Sequence, residues 1–134
     1  MSCRSRSILM AMIGIILGVA VSEAIQAQTK PPIYVVTEIN VKNPQAFGKE
    51  YAPMAQASIK AAGGHALARG GSGGAGALRI IPIEGPTPKR VALLEFADMQ
   101  SLEAWRNSEA YKTARTIGDK YATFKSYAIE GFRK

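Results

Sequence analysis

Lys89-Arg90-Val91-Ala92-Leu93-Leu94-Glu95-Phe96 is the stretch whose reading decides the fold. Two cations open it, and Val, Leu or Phe fill four of the six positions that follow. A Pro/Gly-rich segment precedes it, and Ala97-Asp98 follows, where a helix is predicted to begin. A short apolar run bounded by turn signals reads as a buried strand in the middle of a sheet. Glu95 alone interrupts it, and a carboxylate on a central strand needs a partner or a purpose.

Working outward, Ile33-Tyr34-Val35-Val36-Thr37-Glu38-Ile39 is rich in β-branched and aromatic residues and predicts the first strand. Asn43-Pro44 supplies an N-cap and a proline at the first helical position. Phe47, Tyr51, Met54, Ala55, Ser58 and Ala62 then recur at helical spacing, a small-residue apolar stripe. Pro53 lacks the amide that would bond back to the carbonyl of Lys49, so a kink or break is expected there. Gly63-Gly64 ends the helix, and His65-Ala66-Leu67-Ala68-Arg69 reads as a short second strand. Leu78 to Ile83 can add an edge strand, to which Pro82 confines it.

Downstream, Asp98 caps a helix in which Met99, Leu102, Trp105 and Arg106 share a face. Asn107-Ser108 interrupts it and caps a second segment with Tyr111, Ala114, Arg115, Gly118 and Ala122. Phe124 to Glu130 is the last strand. The order β-α-β-β-α-β is the split ferredoxin-like α+β arrangement, with both helices on one face of an antiparallel sheet. Right-handed crossovers set the first and central strands side by side.

Strand parity sorts side chains onto faces. Ala92, Leu94 and Phe96, with Ile33, Val35, Thr37 and Ile39, are expected to face the helices. Tyr34, Val36, Glu38, Val91, Leu93 and Glu95 fall on the open face. Sending Tyr127 and Ile129 to the helices places Glu130 on the open face, and the bulky set of the second strand adds His65, Leu67 and Arg69. The expected site is therefore Tyr34, Glu38, Arg69, Glu95 and Glu130 as ligand-binding residues. His65, Arg69 and Glu95 are the catalytic candidates: His65 or a carboxylate as the base and Arg69 as the holder of an anion, with Glu95 also the expected partner of Arg69 across strands. The same cluster also reads as one that only satisfies itself at an interface. An apolar sheet face of this kind is usually covered, and a second copy packed face to face would make a homodimer.

Residues 1–27 carry Arg4 and Arg6, an uncharged apolar run from Ile8 to Val21, and small residues at Ala24 and Ala27. That is the plan of a secretory signal peptide, with cleavage expected after Ala27 and Ala24 as the second site. The apolar run is short of the ~20 residues a bilayer-spanning helix needs, so no stable membrane anchor is expected after cleavage. Residues 28–134 then form one domain, periplasmic or secreted, with no cysteine, since Cys3 is the only one in the chain. The net charge of +7 falls by one on cleavage, because Arg4, Arg6 and Glu23 leave together. The cations are scattered, with no aromatic-interleaved basic run, which argues for a solvated basic surface and against nucleic acid.

Cofactor signatures are absent from the sequence. Gly70 to Gly76 is rich in glycine but lacks the Gly-Lys-Ser/Thr of a phosphate loop and the strand–turn–helix setting of a dinucleotide fingerprint. One His and no mature Cys do not make a zinc or copper set, and no Gly-x-Ser-x-Gly elbow occurs. The expectation is a protein without metal or cofactor.

Four segments in order resemble one known family: His65 to Gly71, Pro88 to Phe96, Trp105 to Tyr111, and Ile129-Glu130-Gly131. They are similar to the domain of unknown function family DUF1330, over roughly Ile33 to Phe132. The resemblance implies a dimeric α/β-barrel protein, a group that includes cofactor-free monooxygenases, isomerases and haem enzymes and so names no reaction. Ser72 to Ala77 departs from the family pattern and looks like an insertion. Two functions follow as expectations: an exported dimeric domain that binds a small organic molecule or serves as an accessory domain, or a cofactor-free enzyme acting on a small organic acid or aromatic compound.

Overall fold

The computed structural model describes residues 30–72 and 78–132. The expected signal segment and most of the glycine-rich insertion lie outside them. Within them the order is β1 (Ile33–Val41), α1 (Pro44–Ala46), a π turn (Phe47–Tyr51), α2 (Ala52–Ala61), β2 (His65–Gly71), β3 (Arg90–Phe96), α3 (Met99–Asn107), α4 (Glu109–Tyr121) and β4 (Ala122–Glu130). The sheet runs β2-β3-β1-β4 with every neighbouring pair antiparallel, the ferredoxin-like α+β order. Leu78 to Ile83 forms no strand. Only Leu78 bridges, to Gly70, and its amide donates to the Arg69 carbonyl at 2.7 Å.

Local chemistry sets the helix ends as the sequence indicates. The side chains of Asn43, Asp98 and Ser108 each accept the amide three residues on, capping α1, α3 and α4. The π turn is how the chain accommodates Pro53. The Ala52 amide reaches back five residues to the Phe47 carbonyl, which widens the coil just where proline would otherwise crowd the preceding turn.

β1 and β3 keep the parity expected of them. Ile33 faces Phe96, Val35 faces Leu94 and Thr37 faces Ala92 on the helix side, while Tyr34–Glu95, Val36–Leu93 and Glu38–Val91 line the open side. β4 is the reverse of the expectation. Its register sets Tyr127 beside Val36 and Ile129 beside Tyr34 on the open face, and turns Ser126, Ala128 and Glu130 to the helix side. The helices cover only the start of this edge strand, where Ala122 is buried and Phe124 stacks near Phe47 and Tyr51. At its far end both faces are open, so hydrophobicity alone did not tell them apart.

β2 carries a β-bulge. His65 pairs with Glu95 and Gly71 with Arg90, so six steps along β2 must match five along β3, and Leu67 is the extra residue. Beyond it the parity inverts: Ala68 goes to the open face and Arg69 to the helix side, opposite Ala92. Gly71 sits at φ +98°, where a side chain is strained and its Cβ would meet the Lys89 carbonyl.

The core is in two pieces. Ile33, Val35, Leu94, Phe96, Leu102 and Trp105 form one; Ile39, Val41, Phe47 and Ala122 form the other. Between them the two central strands offer only Thr37 and Ala92. Small residues in the middle of the floor leave room above it.

Candidate functional site

That room is a cavity of about 320 Å³ between the sheet and α2/α4. Thr37 and Ala92 lie in its floor, and Ala52, Ala55 and Ala114 are the small helix residues facing it. Phe47, Tyr51, Trp105 and Tyr111 supply aromatic walls, with Trp105 and Tyr111 edge to face at 4.6 Å between centroids. An engineered cavity of about 150 Å³ holds a benzene ring, so this one has room for a ring and a side arm.

The polar groups around it are held individually. Trp105 Nε1 donates to Ser58 Oγ at 3.0 Å, and that hydroxyl donates to the Ala55 carbonyl at 2.9 Å, so both are satisfied though buried. Gly118 in α4 lets Tyr51 approach; a Cβ there would stand 2.7 Å from the tyrosine ring. Burial pushes the Tyr51 phenol up to about 12, with Arg115 pulling the other way, so at neutral pH it is an O–H donor and not a phenolate.

Three arginines reach this side. Arg90 is 5% exposed, lies over the Phe47 ring at 5.4 Å and donates from Nη1 to the Ser72 carbonyl at 3.1 Å. Burial first, and then the charge of Arg69, push its guanidinium below the ordinary value. Arg69 enters from β2 because of the bulge. Arg115 lies over Phe124 at 4.2 Å and bonds Asp119 at 2.7 Å. Burial works against its charge, but the Asp119 carboxylate, with a smaller part from Tyr111, more than offsets this and holds the guanidinium above its ordinary value.

The expected site residues therefore divide. By register Tyr34, Glu38, His65 and Glu95 share the open face, with His65 and Tyr34 both opposite Glu95, and His65, at the start of β2, also lines the cavity. Arg69 and Glu130 are on the other side of the sheet, so the expected Arg69–Glu95 pair does not exist. Lys125, opposite Glu38, is the cation that face gains instead. Sequence reasoning missed Tyr51, Arg90, Trp105 and Tyr111 as site residues. Arg90 was within reach, since it has the parity of Ala92, Leu94 and Phe96. Tyr51 and Trp105 were indistinguishable from core in the apolar stripes. Among the described residues, no group of three His, Cys, Asp or Glu side chains is placed to hold a metal ion.

Comparison with known proteins gives family and fold. The family described as Domain of unknown function (DUF1330) matches residues 32–132. A crystal structure of a protein of unknown function from Rhodopseudomonas palustris is similar at 13% identity, over 78% of this chain and 85% of that one, with a TM-score of 0.50. A conserved protein of unknown function from Bacteroides thetaiotaomicron, described as a possible oxidoreductase, is similar at 12% identity over 75% and 98%, with a TM-score of 0.52. At such identities the likeness is one of fold. No curated protein matches the chain.

Proposed function

This chain belongs to the DUF1330 family, and we propose that it is an exported small-molecule-binding domain whose ligand enters the cavity between sheet and helices. One observation carries the reading: the core is split, and the gap is walled by aromatic and small residues with arginines reaching in, the composition of a binding pocket rather than a packing defect. A second reading is a cofactor-free enzyme on the same molecule. It is favoured by Tyr51, a partly buried residue of the cavity lining whose phenol keeps its proton.

The open face supports pairing with a second copy. Tyr34, Val36, Val91, Leu93, Tyr127 and Ile129 lie together there, Tyr127 at 45% and Ile129 at 53% exposure. Glu38 and Glu95 share the face with Lys125 and His65, so it carries the opposite signs that a self-pairing surface needs. The signal-like pattern of residues 1–27, two arginines followed by an uncharged apolar run and small residues, supports a periplasmic or secreted location.

Native mass spectrometry of protein recovered from its own host tests these readings together. The expected species is two subunits, each beginning at Gln28 and each retaining one small molecule. Ala55→Trp, which fills the cavity, should lose the retained mass and keep the dimer. A bare protein whose mass and stability are unmoved by Ala55→Trp would count against the pocket. A monomer would count against the interface.

A further inference from the structure

The charges around the cavity name the class of molecule it takes; this inference rests on the binding reading above. Four lining residues are Lys or Arg and none is Asp or Glu. Arg115 is neutralised by Asp119. Among the described residues no carboxylate forms an ion pair with Lys60, Arg69 or Arg90; the ion pairs found are Lys30–Asp98, Lys112–Glu109 and Arg115–Asp119. The neighbouring residues 73–77 are glycine and alanine and add no acid.

Arg69 and Arg90 are placed to act together. Arg69 is opposite Ala92, two residues from Arg90 on the same strand and the same face, so the two are diagonal neighbours across β2 and β3. A guanidinium has five N–H donors, and the side-chain hydrogen bond found for Arg90 is to the Ser72 carbonyl. Two like charges side by side, one of them almost fully buried, are costly unless something negative joins them. The rest of the lining is mainly apolar and aromatic, with Thr37, Gln56, Ser58 and His65 as its uncharged polar members, which suits an anion carried on a hydrocarbon body better than a strongly hydrated phosphate.

We propose that the cavity binds an aromatic carboxylic acid, its carboxylate held between Arg69 and Arg90 and its ring among Tyr51, Trp105 and Tyr111. Planar carboxylate and planar guanidinium match in a two-bond fork.

Trp105 is the only tryptophan in the chain and lines the cavity, so its emission reports occupancy. The probes are 3-phenylpropanoate and its neutral amide, 3-phenylpropanamide, titrated against the purified protein and against Arg69→Met. The acid should bind at least ~10-fold more tightly than the amide, as charge-assisted bonds require, and Arg69→Met should abolish that preference while the amide still binds. Equal binding of acid and amide by the unaltered protein would overturn the carboxylate inference and leave the pocket standing. Failure of both probes to alter Trp105 emission would overturn the pocket and the inference with it. A second measurement needs no probe: unliganded Arg69→Met should melt higher than the parent at low ionic strength, with the difference fading in salt. A lower melting temperature would mean that Arg69 is already satisfied within the protein, and would overturn the proposal.

Discussion

Replacing Ser58 with Ala tests whether the cavity wall is held as described. The Ser58 hydroxyl accepts from the Trp105 indole at 3.0 Å and donates to the Ala55 carbonyl at 2.9 Å; Ser58 is 3% exposed and Trp105 9%. Removing the acceptor leaves a buried N–H without a partner, which costs about 1–3 kcal/mol. The lost bond to Ala55 matters less, because it competes with the helix, and alanine returns a few tenths of a kcal/mol of helix propensity. The net loss should be about 1–2 kcal/mol, or a fall of roughly 4–16 °C in melting temperature for a domain near 100 residues. Urea unfolding of the parent, Ser58→Ala, Trp105→Phe and the double variant gives the interaction as a cycle. Coupling of about 1 kcal/mol is expected, since a phenyl ring has no donor to orphan. Single effects that add within about 0.5 kcal/mol would refute the reasoning. A red-shifted Trp105 emission in Ser58→Ala would identify the cause, namely water entering from the cavity to take the indole proton.

Three further outcomes are expected. Bonds from the Ser101 amide and hydroxyl, and then Lys30, hold the Asp98 carboxyl down to about 2, so its contribution is full above the ordinary carboxylate value and is lost as pH falls through about 2; acid unfolding should show a step between about pH 4 and 2 that Asp98→Asn, which still caps the helix, removes. Gly118→Ala should lower the melting temperature although alanine favours helix by about 1 kcal/mol, because overpacking against Tyr51 costs about 1–3 kcal/mol; a higher melting temperature would show that the ring moves freely. Leu93→Arg should convert the proposed dimer to monomer in sedimentation velocity, and an unchanged dimer would put the interface elsewhere.

A split core offers a plain account of how a small α+β domain acquires a pocket. The middle of the sheet carries Thr37 opposite Ala92, and the helix layer above carries Ala52, Ala55 and Ala114. Large apolar residues then collect at either end of the strands, where Phe47 and Phe96 are fully buried. The aromatic walls hold the gap open, and the buried arginine keeps it from being simply apolar.

Element order, the helix caps at Asn43, Asp98 and Ser108, and the faces of β1 and β3 were legible in the sequence, because each rests on local chemistry or on an alternation long enough to be unambiguous. The family resemblance was legible for the same reason, in four short segments along the chain. The candidate site was only half legible. Tyr34, Glu38, His65 and Glu95 share a face as their parity requires, but Arg69 and Glu130 do not join them. The bulge at Leu67 arises because β2 must meet β3 at both ends with one residue too many, a constraint between strands that leaves no mark in His65-Ala66-Leu67-Ala68-Arg69. The face of β4 depends in the same way on its register against β1, and Tyr127 and Ile129 look like core residues until the open face proves to be apolar as well. Side-chain alternation is written into each strand, but which neighbour a strand meets, and with what slip, is decided only when the sheet assembles. Tertiary structure alone therefore carried Arg69 through to the helix side, beside Arg90.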